Sequence, residues 1–342
     1  MDMLFTAEQE SMAASLTRYL EAALPREVLH RADRPGLVVD SLATDEYWSG
    51  LTDLGLFALT IAEAQGGAGL GLADQVALFR ELGRKLAVGP IIGTVLAAEA
   101  AAAGSGNLLD HLIGGGSRAA VAFRQLGTDL EVGSRVVGTI RVHDLQTADY
   151  VLVLDADAVA IVPSRDLEPV AIDAIDPTAP VTIARVDAGA TLLRHDPAIH
   201  RRGTVLQAAV FCGLAEAARD NSAAYVKTRE QFGKPIGAFQ AVKHRCAEMA
   251  VRAEVAFFQT VYAALVEDEG HANADFHASS AHVVARDAAR HNAADNIQNH
   301  GGMGFTAEAE PYLYMRRQLA YTNAFGSRRA ALEVVASSPN PL

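Results

Sequence analysis

Arg229-Glu230-Gln231-Phe232-Gly233-Lys234-Pro235-Ile236 stands between two long runs of helical spacing. Before it, Leu206, Val210, Gly213-Leu214, Ala217 and Ala224-Tyr225 line one helix face; after it, Ile236, Phe239, Val242-Lys243, Cys246 and Met249 repeat on another. Gly233-Lys234-Pro235 ends the first helix and starts the second, because glycine tolerates the turn and proline suits a first helical turn. A third helix is predicted over about 275–299 and a fourth after Pro311, so residues 196–342 read as a four-helix bundle.

Upstream the period changes. Ala119–Phe123, Val136–Val142, Tyr150–Leu154, Val159–Val162 and Val181–Val186 are short β-branched runs broken by Gly, Asp, Pro and Ser. They predict a small antiparallel sheet or barrel across 118–195. Residues 1–117 return to helical patterning: Thr6 caps a helix from Ala7 with Gln9 at the capping-box position, and Leu16, Leu20 and Leu24 follow. A second apolar stripe runs through Trp48, Leu51, Leu54 and Leu56-Phe57, a third helix covers about Ala73–Gly83, and Gly114-Gly115-Gly116 closes the zone. The class is α+β: an N-terminal helical domain, a small middle β-domain and a C-terminal four-helix bundle.

Composition agrees with a folded chain of two or three domains: 342 residues, 50% hydrophobic and 20% charged. A formal charge of −12 with no basic stripe argues against nucleic-acid or anionic-membrane binding. Leu86–Ala103 is the stretch that could pass for a membrane span, but Gly89, Pro90, Gly93 and Glu99 favour a buried helix. Cys212 and Cys246 form no CxxC and read as reduced core thiols. The N-terminus lacks a signal-peptide pattern, so a cytoplasmic location is expected. His271, His277, His282 and His291 show no metal-ligand spacing, there is no GxSxG elbow, and Gly67-Ala68-Gly69-Leu70-Gly71 lacks the strand a dinucleotide fold requires. Arg316-Arg317 and Arg328-Arg329 read as a solvated face with local ion pairs, or as contacts to a cofactor phosphate or a partner acid. The C-terminal tail Ser337-Ser338-Pro339-Asn340-Pro341-Leu342 reads as disordered.

A second motif, Gln298-Asn299-His300-Gly301-Gly302-Met303-Gly304-Phe305, accompanies the first. With Trp48, Leu54-Gly55-Leu56 and Ala62-Glu63-Ala64-Gln65-Gly66-Gly67, the two motifs resemble the acyl-CoA dehydrogenase family over nearly the whole chain. The resemblance implies FAD, gripped for a neighbouring subunit by Arg229, Gln231, Phe232, Gln298, Gly301 and Gly302, with Gln240 a weaker candidate near the adenine. The chemistry suits these types: a guanidinium clamps a diphosphate bidentately, and glycines let backbone N–H groups come close. The plainer reading pairs Arg229 with Glu230 or Glu248 and makes the Gly pair a turn, with His300 a loop residue beside it.

The resemblance also implies a glutamate that takes the α-proton of a thioester. The family's usual Tyr-Glu-Gly-Thr run corresponds to Ala324-Phe325-Gly326-Ser327, placing Phe325 at the base position. The alternative position falls on Gly203, beside Arg201, Arg202 and Thr204. The flavin-touching loop and the strand behind the ring also have no counterpart in Ala122–Gly127 and Gly138–Val142. These departures point to a non-catalytic subunit of a heteromeric, α2β2, acyl-CoA dehydrogenase of the actinobacterial kind, acting on a bulky, steroid-derived thioester bound mainly by its partner. The competing readings are a homotetramer using Asp196 or Glu216 as base, a flavin-free scaffold, and an oxidase or monooxygenase on the same fold.

Overall fold

The computed structural model describes residues 3–31, 42–104, 107–173, 175–306 and 308–338, so the tail after Ser338 lies outside the described residues. Six helices come first: α1 (Ala7–Ala23), α2 (Arg26–Arg31), α3 (Asp45–Asp53), α4 (Leu72–Lys85), α5 (Ile91–Ala102) and α6 (Leu108–Ile113). Eight strands follow: β1 (Ala119–Arg124), β2 (Leu130–Val132), β3 (Arg135–His143), β4 (Tyr150–Asp155), β5 (Ala158–Pro163), β6 (Leu167–Asp173), β7 (Val181–Gly189) and β8 (Leu192–His195). The C-terminal part holds α7 (Pro197–Thr228), a hairpin of β9 (Glu230–Gln231) and β10 (Lys234–Pro235), then α8 (Gln240–Asp268), α9 (Ala274–His300), α10 (Pro311–Tyr321) and α11 (Arg328–Ser337). The predicted helix–sheet–helix order is observed, with α11 added after the fourth C-terminal helix.

One compact unit joins Arg34–Gln75 to Val88–Thr204 and contains the sheet. Its strand order is β6-β7-β3-β1-β4-β5-β8, with β2 on β3. All pairs are antiparallel except β1 with β4, so the expectation of an antiparallel sheet is corrected to a mixed one. Alternation gives strands but not their partners, and the β3 excursion between β1 and β4 supplies the crossover that a parallel pair requires. α5 lies against β1 so closely that a Cβ on Gly93 would stand 2.2 Å from the Ala119 carbonyl oxygen. Thr94 Oγ1 accepts from the Ala119 N–H at 2.9 Å. The suspected span Leu86–Ala103 therefore contains a buried helix. Among the described residues, α8 is the helix long and apolar enough to cross a membrane, yet Met249, Ala253, Ala256 and Thr260 are buried within the bundle.

His143 is fully buried in this sheet and edge-on to Phe123. Burial, aided by Arg141, pushes its imidazole down from 6.5 to about 3. The folded state thus resists a proton that the unfolded chain accepts, so stability is full above pH 6.5 and falls as pH drops from there toward 3. His143→Leu is expected to flatten that acid limb, measured by chemical denaturation at stepped pH.

The other unit joins Met1–Asp33 and Val76–Ala87 to Val205–Leu342. Thr6 forms the capping box with Gln9 as the pattern required. Backbones meet directly here: a Cβ on Gly213 would lie 1.9 Å from the Arg80 oxygen, and one on Gly83 would lie 2.1 Å from the Val210 oxygen. Neither neighbour is a flexible side-chain tip, so the helices must separate to admit a methyl. Gly213→Ala is expected to lower folding stability by about 2–3 kcal/mol in urea titrations, in the upper part of the overpacking range.

Candidate functional site

α7 ends at Thr228, and the Arg229 N–H still donates to Tyr225 O at 2.9 Å. The chain then reverses through the β9–β10 hairpin, with Gln231 facing Lys234 across it. Its two central residues, Phe232 at φ +53° and Gly233 at φ +75°, both lie in the left-handed region, as a two-residue type I′ turn demands. Asparagine or glycine is the usual first residue of such a turn; phenylalanine there costs about 1–2 kcal/mol. The Phe232 ring is also 92% exposed and meets only the edge of Phe239. Phe232 thus combines a left-handed backbone with an exposed ring.

Arg229 is exposed and, among the described residues, its guanidinium forms no ion pair or side-chain hydrogen bond. Glu248, one suggested partner, lies 3.9 Å from Arg252 instead. Gln231 is exposed with Nε2 donating to Glu230 O, and Gln240, also exposed, is the first residue of α8. Ile236 N–H donates to Arg229 O at 2.8 Å and closes the hairpin against the helix end.

The second motif begins in the last turn of α9, where Gln298 is exposed. Gly301 takes φ +63° and ψ −142°, a conformation that glycine alone adopts readily. Nothing lies within 4 Å of where a Cβ on Gly301 or Gly302 would sit, so the pair opens onto free space. Met303 and Phe305, at 54% and 79% exposure, follow in the same short turn.

Side-chain ties draw both motifs to one end of the bundle. The His300 ring stacks on Tyr225 at 3.9 Å, and its Nδ1–H donates to Asn296 O at 2.9 Å. Burial lowers the His300 pKa. Asn299 Nδ2 donates to Ser222 Oγ at 2.7 Å, while Arg245 Nη1 donates to Asn299 Oδ1 at 2.7 Å. The ends of α7 and α9 and the start of α8 are thereby fixed together. A free guanidinium, three exposed amides, an exposed phenyl ring and two bare glycines suit a diphosphate joined to a flat ring.

The expected base positions contain no acid. Phe325 takes φ +56° between α10 and α11 and is only 4% exposed, with Gly326 at φ +112° behind it. Gly203 lies in the first part of α7, where its neighbour Arg202 donates from Nε to Glu99 Oε2 at 2.8 Å. Glu99 also receives Thr60 Oγ1 at 2.7 Å and Gln75 Nε2 at 3.1 Å. This buried network was not anticipated; its signal was a single acid in an Ala-rich helix. The two fallback acids are engaged as well. Asp196 Oδ1 accepts from the Ala198 N–H at 3.1 Å and caps α7. Glu216, 4% exposed, is clamped by Arg80 Nη2 at 2.8 Å and Arg84 Nη1 at 2.7 Å.

The remaining suggestions resolve into packing. Arg317 is buried and donates to Ala87 O at 2.6 Å, Arg328 pairs with Asp287, and Arg329 pairs with Glu333. His277 sits edge-on to Tyr262, and His282 stacks on Phe211.

Comparison with known proteins identifies the family to which this fold belongs. The model of the acyl-CoA dehydrogenase N-terminal domain matches residues 6–109, and that of the C-terminal domain matches 200–338. The acyl-CoA dehydrogenase IpdE2 of Mycobacterium tuberculosis is 33% identical over 303 residues, covering 88% of this chain and 89% of that protein. The ChsE4–ChsE5 complex of Mycobacterium tuberculosis superposes with a TM-score of 0.86 at 24% identity, over 99% of this chain and 100% of that one. A variant of the Tcur3481–Tcur3483 steroid ACAD gives 0.82 at 23% identity, covering 96% of both chains. The chain belongs to the acyl-CoA dehydrogenase family, whose members are oxidoreductases acting on CH–CH bonds.

Glu216→Gln leaves two guanidinium groups facing a neutral amide. It is expected to remove about 3 kcal/mol of folding stability, the low end of the range for a broken buried pair, because Arg80 and Arg84 keep 26% and 25% of their side-chain surface in water. Urea denaturation measures it.

Proposed function

We propose that this chain is the non-catalytic subunit of a heteromeric, α2β2, FAD-dependent acyl-CoA dehydrogenase. The observation that carries the reading is an asymmetry: an Arg229 guanidinium without an ion pair among the described residues and the bare Gly301-Gly302 turn stand at one bundle end, while Phe325 and Gly203 stand where the family resemblance places a base. Arg229, Gln231 and Phe232 from one motif and Gln298, Gly301 and Gly302 from the other would hold a partner-seated FAD, with Gln240 toward its adenine. FAD, when bound, takes up the hydride equivalent from the β-carbon of the acyl thioester. The partner subunit supplies the carboxylate that removes the α-proton and binds most of the substrate.

Three features support this assignment. The free guanidinium and the bare Gly301-Gly302 backbone fit the diphosphate chemically, and the exposed apolar side chains Phe232, Met303 and Phe305 offer contact area to a second chain. The structural neighbour ChsE4–ChsE5 is a complex, and Tcur3481–Tcur3483 is described as a steroid ACAD. By that likeness the substrate is a bulky, steroid-derived thioester. The free thiols Cys212 and Cys246 suit a cytoplasmic setting.

Replacing Arg229 by Ala in the co-purified complex removes charge-assisted bonds to phosphate. It is expected to weaken flavin retention roughly 10- to 100-fold, from about 1.5–3 kcal/mol. Flavin absorbance after gel filtration reads this directly. An unchanged spectrum would instead favour a scaffold that never touches the cofactor.

A further inference from the structure

The chain has 25 arginines but only four lysines, and three of the four, Lys227, Lys234 and Lys243, fall within one short segment. In a protein of net charge −12 that clustering is a local reversal of sign. Lys227 and Lys243 line an open groove of about 440 Å³ between the end of α7 and the start of α8. Ala223, Val226, Pro235 and Gly237 form its apolar walls, and Cys246 stands beside Lys243 on α8. Val226 and Gly237 meet closely there; a Cβ on Gly237 would lie 2.9 Å from Val226 O. Among the described residues neither lysine of the groove has an ion-pair partner, and the first turn of α8 carries no acid.

We infer that this groove binds a nucleoside phosphate monoester, its base against the Val226–Pro235 wall and its phosphate between Lys227 and Lys243. The charge decides the class. Two unpaired ammonium groups match a phosphate monoester, which carries about −1.5 to −2 at pH 7, better than a carboxylate with −1. Lysine serves as a point-charge phosphate binder, and the volume falls in the range of small-ligand sites, about 300–1,000 Å³. FAD lacks this chemistry because its two phosphates are joined as an internal pyrophosphate, each with one ester and one anhydride link and neither a terminal monoester. The groove shares Pro235 with the hairpin but contains none of the residues assigned to FAD above, so it does not depend on that function. Two sources carry the required group: a free mononucleotide, and the 3′-phosphate end of a CoA thioester.

Calorimetric titration of the full chain with AMP tests the proposal, with adenosine as the uncharged control. AMP is expected to saturate the site, adenosine to bind at least about tenfold more weakly, and Lys227→Gln and Lys243→Gln each to weaken AMP about tenfold, the loss of one charge-assisted contact. Arg229→Ala should leave AMP binding unchanged. CoA binding more tightly than AMP, with dephospho-CoA weaker than both, assigns the source to CoA; AMP binding more tightly than CoA assigns it to a free nucleotide. Alkylation gives a readout local to the groove, because Cys212 is buried with its thiol pushed up to about 12, leaving Cys246 as the reactive site. AMP should slow Cys246 labelling. Absence of saturable AMP binding, or binding that survives both lysine substitutions, overturns the proposal. Loss with Arg229→Ala instead moves the nucleotide to the hairpin and overturns it equally.

Discussion

Asn292 is fully buried on α9, and its side-chain amide donates to Ala215 O on α7 at 3.0 Å and to Met249 O on α8 at 2.9 Å. Arg252 Nε donates to its Oδ1 at 2.9 Å, so every polar atom of that amide is engaged. One side chain can reach two neighbouring helices only if their backbones are close, and the buried alanines of α9 (Ala278, Ala281, Ala285, Ala288 and Ala289) allow that. The spacing carries through to the bundle end, where Asn299 bonds Ser222 and His300 lies on Tyr225. Looser helices would separate the hairpin after α7 from the glycine turn after α9, and a grip needing both would fail.

Much of this architecture was readable from residues. The Thr6–Gln9 box, the β-branched runs and the Gly-Lys-Pro interruption each encode local geometry, and local geometry is what periodicity reports. What it left out depends on distant partners. The parallel β1–β4 pair follows from where β3 goes, and β6, with Pro169 and a register shift between Pro169 and Ala171, hides its strand character. At the site, the motif residues were legible as a set, but the left-handed φ of Phe232 was not, since the usual signal for that turn is Asn-Gly or Asp-Gly. Glu216 looked like a loose acid among Ala and Leu; its clamp comes from Arg80 and Arg84, far away in sequence.

Partners within the chain also decide which acids are available. An acid that serves as a base must be open to substrate, and here Glu99 and Glu216 are closed off by ion pairs while Asp196 is spent on a helix cap. The Arg229 hairpin shows the opposite pattern, with strain, an uncompensated charge and an exposed ring gathered at one place.

The most direct measurement is the flavin content and turnover of this chain alone and after assembly with its catalytic partner. The account predicts a colourless, inactive isolated chain, and an active assembly holding one FAD for each pair of unlike chains. One FAD per chain in a homo-oligomer that oxidises acyl-CoA unaided would contradict it.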